Sequence, residues 1–373
     1  MRKLFTIVLV LLLAGSLFAG GSRSASTGAA SSSGGLRIGI VTTSGVDDGS
    51  FNQNNYNGIL DFQRAYPQAR VTAILEPDNG KAVQAVSDII ADYDILVLPG
   101  FQFAGVGVLA QRNPGKRIIL VDTYPTDAQG NEVELANVYA MQFKEEESGF
   151  FAGIAAALET KTNRVAVVNG IAYPSNVNYQ WGFMSGVNYA NKYFGSRAEI
   201  VELPSYSGTD VTGTVVGGNY IGAFDDEATG KVVGSALINA GVDVMLVAAG
   251  ASGNGVITAA KEAQGVFIIG CDVDQYDDGV TGNRNVILTS ALKIMNTNVT
   301  RQLTAIANGT FNGKNELLSA TTDSTGFVSA PGRHQLSDST LSRLNQAYPL
   351  VKNGSIVPAA NFNGHRPTNF PGL

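Results

Sequence analysis

Leu36-Arg37-Ile38-Gly39-Ile40-Val41 leads, a few residues on, into Asp47-Asp48-Gly49-Ser50-Phe51-Asn52-Gln53, and this junction decides the fold. The first stretch is short, apolar and β-branched, as a buried strand requires. The second supplies turn and capping residues and opens a helical stretch over 52–66. A strand, a polar turn and a helix form the first half of a βαβ unit. The pattern repeats along the chain. Further strands are expected at 70–75, 95–99, 117–121 and 137–141, then at 164–169, 198–203, 243–248, 266–271 and 286–290. Helical stretches fall between them at 79–92, 105–112, 145–159, 176–193, 228–240, 254–263 and 291–308. This alternation predicts doubly wound α/β sheets.

The chain has 373 residues, 25 Lys+Arg against 31 Asp+Glu, two His and one Cys, with 44% apolar types and 15% charged types. Normal apolar content and a net charge of −6 exclude disorder for most of the chain. An acidic balance without a Lys/Arg block argues against a nucleic-acid binder. About ten strands exceed one sheet of ordinary size, so two lobes with a hinge and cleft are expected. Their boundaries are placed at 36–142 plus 272–312 for the first lobe and 143–271 plus 313–373 for the second. The stretch from 309 is more loosely patterned and holds one further helix, at 338–352.

Arg2 and Lys3 precede an apolar run over 4–13, followed by small residues through Ala19. This is the composition of a cleaved secretory signal, expected over 1–19, and it directs the chain out of the cytoplasm. The run is too short to span a membrane. Residues 20–35, nearly all Gly, Ser, Ala and Thr, read as a flexible linker.

Most catalytic templates fail on spacing. A lone cysteine gives no disulfide and no Cys-built metal site, and His334 and His365 both lie in the loosely patterned C-terminal stretch. Gly250-Ala251-Ser252-Gly253-Asn254-Gly255 follows a strand but lacks the Gly-Lys-Ser/Thr of a phosphate loop. Asp272-Val273-Asp274-Gln275-Tyr276-Asp277 lacks the glycine and glutamate that a calcium loop needs. No metal or cofactor is expected. Cys271 ends an apolar strand and reads as a small buried hydrophobe. The helix at 145–159 starts Glu145-Glu146-Glu147, where the dipole favours acids, and continues with Gly149, Ala152 and Gly153. It is either a helix at a lobe junction or simply a tightly packed one.

Polar residues at the carboxyl ends of strands carry the functional reading, because open α/β sheets bind ligands there. Phe51 and Asn52 open the first helix, with Ser50 or Asp48 as its cap. Asp122 follows the strand at 117–121, Asp272 the strand at 266–271 and Lys293 the strand at 286–290. Phe51 is either a stacking face or a hydrophobic staple.

These motifs resemble the basic membrane protein family, substrate-binding proteins of ABC transporters with the type I periplasmic-binding-protein fold, among them purine nucleoside receptors. The resemblance is carried by residues 46–53, by Glu146-Glu147-Ser148-Gly149-Phe150-Phe151-Ala152-Gly153, by Trp181-Gly182-Phe183-Met184-Ser185-Gly186, by 250–255, by 269–275 and by 353–358. It implies a non-enzymatic exported receptor, two lobes closing on a purine nucleoside, and delivery to a permease. Matched by motif, Phe51 would stack on the base with Asn52 beside it. Asp122 would bond the base edge, Asp272 and Lys293 would hold the ribose hydroxyls, and Gly250 would bring backbone near the ligand. This chain departs from the family at several points. It has no Cys at the expected cleavage site, so no lipid anchor is expected. Thr43 stands where many members have Asp. The strand at 243–248 offers no aromatic, which leaves Phe224 or Trp181 to supply a second stacking face. A monomer is expected. Two other readings stay open: a sugar or other small-molecule receptor of the same fold, or an exported nucleoside hydrolase using Asp47 and Asp48.

Overall fold

The computed structural model describes residues 35–361 and 363–373; the expected signal segment and all of the expected linker but Gly35 lie outside the described residues. In chain order a first lobe opens with β1 (Arg37–Thr42), α1 (Phe51–Ala65), β2 (Arg70–Leu75), α2 (Ala82–Ile89), β3 (Ile95–Pro99), α3 (Gly107–Arg112), β4 (Arg117–Val121) and β5 (Val138–Phe143). A second lobe follows with α4 (Glu145–Glu159), β6 (Arg164–Asn169), α5 (Pro174–Tyr193), β7 (Glu199–Ile200), β8 (Gly208–Thr209), β9 (Val215–Gly217), β10 (Asn219–Tyr220) and α6 (Glu227–Asn239). It continues with β11 (Val244–Ala248), α7 (Ser252–Glu262), β12 (Phe267–Asp272), β13 (Val280–Thr281), β14 (Arg284–Asn285) and β15 (Ile287–Lys293). The chain then returns to the first lobe for α8 (Met295–Ala307) and β16 (Lys314–Leu318), and crosses back for β17 (Thr325–Phe327) and α9 (Asp338–Lys352).

The first sheet has the order β16-β5-β4-β3-β1-β2 and is parallel throughout. The second has the order β10-β6-β11-β12-β15-β17, with β17 antiparallel to β15. The strand order reverses between β1 and β3 in one sheet and between β6 and β11 in the other. Those reversals open crevices at the strand ends where α/β proteins seat ligands. Central strands such as β3 and β11 are buried along their whole length, which explains their unbroken apolar sequence.

The expected lobe boundaries need correcting. Residues 287–293 pair with β12 in the second sheet, so the expected first-lobe segment 272–312 starts too early. The crossover falls after Lys293, where Met295, Val299 and Leu303 of α8 join the core of the first lobe. The segment 313–318 belongs to the first sheet, because β16 pairs with β5. The helix expected from 291 therefore begins at Met295, β15 being held in extended form by partners on both sides.

The strand expected over 198–203 shortens to β7. The chain leaves the sheet, forms the β8–β9 hairpin, and returns as β10 on the same flank of β6. Asn219 bridges the gap: its amide donates to the Val167 and Val201 carbonyls at 3.0 and 3.1 Å and accepts from the Leu203 N–H at 2.8 Å. The helix expected at 79–92 divides into a short turn capped by Asp78 and then α2.

α4 and α5 pack with backbones in near contact. A Cβ on Gly153 would lie 2.1 Å from the Phe183 carbonyl oxygen, and one on Gly182 would lie 2.2 Å from that of Glu146. The small-residue helix is thus both tightly packed and placed at a lobe junction, since it begins at the first crossover.

Candidate functional site

Strand ends from both lobes converge on a cleft with about 590 Å³ of space, part of it open to solvent. Phe51, Asn52, Asp122, Phe224, Gly250, Asp272 and Lys293 all line it. Thr43 lines it as well. Trp181 does not: it packs against Ala172, Val177 and Tyr220 in a separate small core.

Asp122, just after β4, and Asp272, the last residue of β12, take corresponding places at strand ends in the two lobes. Both take left-handed backbone, with φ of 66° and 68°. That conformation is uncommon for a residue with a Cβ and is often found at functional sites. It follows from the abrupt turn of the chain away from each sheet, which leaves the carboxylate at the cleft wall.

Lys293, 2% exposed, is the centre of charge. Its Nζ lies 2.7 Å from Asp122 Oδ2, 3.4 Å from Glu145 Oε1 and 3.8 Å from Asp272 Oδ1. It also stands 4.8 Å from the centre of the Phe51 ring, a cation–π arrangement. Burial opposes the ammonium charge, but Asp122, Asp272 and Glu145 together hold its pKa above the ordinary lysine value. Burial pushes Asp122 upward, and Lys293 offsets only part of that. Glu145 is pushed up to about 7 by burial, with Asp122 adding to the rise and Lys293 opposing it.

Asp272 accepts from the Tyr179 hydroxyl at 2.9 Å and from the Ser50 hydroxyl at 3.2 Å. Asn52 is held by its own lobe, its amide donating to Ser44 Oγ at 2.9 Å. Asp122 Oδ1 is buried with no hydrogen-bond partner of full geometry among the described residues, although the Ser175 side chain, which also lines the cleft, is near enough to Asp122 to favour its charged form. An orphaned acceptor in a cleft wall calls for a donor from a ligand.

Aromatic rings line the cleft elsewhere. Phe101 of the first lobe meets Tyr173 of the second with ring centres 5.4 Å apart, and Tyr173 approaches Phe224 at 6.0 Å. Gly170 makes room for this wall, since a Cβ there would lie 2.3 Å from the Phe224 ring. Phe101, Tyr173 and Tyr179 were not singled out from sequence. Phe101 was within reach, because it follows β3 at a strand end. Tyr173 and Tyr179 lie before and within a helix, where nothing local distinguishes them from core aromatics.

Asp48 caps α1, accepting from the backbone N–H groups of Ser50, Asn52 and Gln53 at 3.1, 2.9 and 3.0 Å. Asp47 is exposed. The two carboxylates therefore do not form the acid/base pair a hydrolase needs.

A two-lobed α/β protein with a ligand cleft at its strand ends is the class this architecture defines. The model of the family described as "ABC transporter substrate-binding protein PnrA-like" matches residues 36–202 and 213–349, and the chain belongs to that family. It is thus a substrate-binding protein of an ABC transporter and not an enzyme. A CD4+ T-cell-stimulating antigen of Listeria innocua is 29% identical over 84% of this chain and 86% of its own length. The ABC transporter nucleoside-binding protein BmpA of Lactococcus lactis is 27% identical over 70% of this chain and 72% of its own. Among solved structures, an ABC transporter solute-binding protein of Aeropyrum pernix superposes with a TM-score of 0.73 at 20% identity, covering 88% of this chain and 94% of that one. That structural likeness bears on the fold alone. The family match leaves out residues 203–212, where the chain makes its excursion between β7 and β10. Among the described residues no helix is long and apolar enough to cross a membrane.

Proposed function

We propose that the cleft binds a purine nucleoside and that the protein, working outside the cytoplasm as a monomer, delivers it to the permease of its transporter. The orphaned Asp122 Oδ1 carries this reading: a buried acceptor beside Phe51 suits the N–H edge of an aromatic base. Phe51 supplies one stacking face. Phe224, backed by Tyr173, supplies the second in place of a strand aromatic. Asp272 accepts from ribose hydroxyls and Lys293 donates to their oxygens.

The charge balance supports a neutral ligand. Lys293 is already paired with Asp122 and Glu145, so a phosphate would find no free cation among the described residues that line the cleft, and several carboxylates. Nucleoside binding by the Lactococcus lactis relative points the same way. Native mass spectrometry of the protein offered inosine, guanosine, adenosine and ribose together tests the proposal. An adduct of nucleoside mass is expected. A ribose adduct with no nucleoside adduct moves the assignment to a sugar receptor.

A further inference from the structure

We propose that Ser50 is a closure latch, whose hydroxyl bonds the opposite lobe and ties lobe closure to the placement of Asp272. A serine at a helix N-cap ordinarily turns its hydroxyl back to accept from the first turn. Ser50 at the start of α1 makes no such bond. Asp48, two residues earlier, has taken over the capping of Asn52 and Gln53. The freed Ser50 Oγ lies 3.3 Å from the Cys271 carbonyl oxygen and 3.2 Å from Asp272 Oδ2. α1 belongs to the first lobe and β12 to the second, so this hydroxyl proton is shared by two acceptors across the cleft.

A second bond joins the same two turns. Gln275 Nε2 donates to the Gly49 carbonyl at 3.3 Å. Gln275 is itself fixed, its Oε1 accepting from the Cys271 N–H at 2.9 Å and its N–H donating to Ser290 Oγ at 3.1 Å. Ser50 and Gln275 are both buried, where an abandoned hydrogen bond is costly. Asp272 is oriented by Tyr179 from its own lobe and by Ser50 from the other. Opening the lobes removes one of these donors, so the closed state alone presents Asp272 fully oriented. Ser50 is thus a positioning residue. Its effect on ligand affinity rests on the cleft reading above, whereas the bond between the lobes does not.

Stopped-flow binding with guanosine as the probe tests the latch. Ser50→Ala raises the dissociation rate about fivefold, the effect of one net hydrogen bond, and leaves the association rate nearly unchanged. Ser50→Thr keeps the hydroxyl and restores the slow dissociation. An unchanged rate in Ser50→Ala, or an equal rise in Ser50→Thr, overturns the latch. If guanosine does not bind the wild type, whichever of inosine and adenosine binds replaces it as the probe; if none of the three binds, the nucleoside reading fails and the latch is decided without ligand. Spin labels at Pro77→Cys and Asp225→Cys, exposed positions on the two lobes, then report the lobe separation. Ser50→Ala lengthens that distance; a distribution identical to wild type overturns the latch.

Discussion

Lys293 sits among Asp122, Glu145 and Asp272 with almost no water contact. Such a cluster holds only while Lys293 keeps a charged carboxylate partner, because an unpaired buried charge is destabilising. Asp272→Ala removes the acceptor for Tyr179 and Ser50 together with the proposed ribose contact. Nucleoside affinity measured by calorimetry should fall more than about tenfold, as for a lost hydrogen bond to a charged group. An unchanged affinity removes Asp272 from the site. Glu145 gives a pH signature. Its pKa is raised from 4.5 to about 7, so the fold prefers the protonated acid. The stability this gives is fully present below about pH 4.5 and is lost as pH rises through 7. Glu145→Gln mimics the protonated form. Its melting temperature should match wild type near pH 4.5 and exceed it by several degrees above pH 7. A difference that stays constant with pH contradicts this assignment. The strand-end rule located Asp122, Asp272 and Lys293 in sequence because each follows a recognisable apolar strand. It could not pair them, because the Lys293–Glu145 contact depends on how two crossovers meet.

Sequence legibility among the elements followed burial. The strands 70–75, 95–99, 117–121 and 164–169 have the expected ends, and three of these four have unbroken apolar interiors buried on both faces, the partly exposed β2 being the exception. β16 escaped notice because Lys314-Asn315-Glu316 reads as a polar loop, which an edge strand tolerates. The true start of α8 was hidden because Ala291 and Leu292 suit a helix as well as a strand. The α4–α5 pair makes a prediction of its own. Gly153→Ala forces a Cβ onto the Phe183 backbone, which a packed helix cannot yield. Unfolding in denaturant should show a loss of at least about 2 kcal/mol. Gly115→Ala, where nothing lies within 4 Å, serves as the control and should change stability by under about 0.5 kcal/mol. Equal effects at the two sites would refute the close-packing account.

The lobes are joined by three crossings, after β5, after β15 and after β16. The first turn of α4 contacts the other two. Glu145 meets Lys293 at the second, and Glu147 Oε2 accepts from the Ala320 N–H at 2.7 Å and the Thr325 hydroxyl at 2.5 Å at the third. Ser148 adds to this by donating to the Leu292 carbonyl at 2.7 Å. The hinge and the charged end of the cleft therefore share residues, so a ligand that engages Asp122, Asp272 and Lys293 acts directly on closure. Two lobes were legible from strand number, but the crossing points were not, because β15 and α8 are adjacent in sequence yet belong to opposite lobes. The central claim is that this cleft recognises a purine nucleoside. Isothermal titration calorimetry of the wild-type protein with inosine, guanosine and adenosine tests it most directly. The account predicts saturable heat at one site per chain with at least one of them, and no heat with any would contradict it.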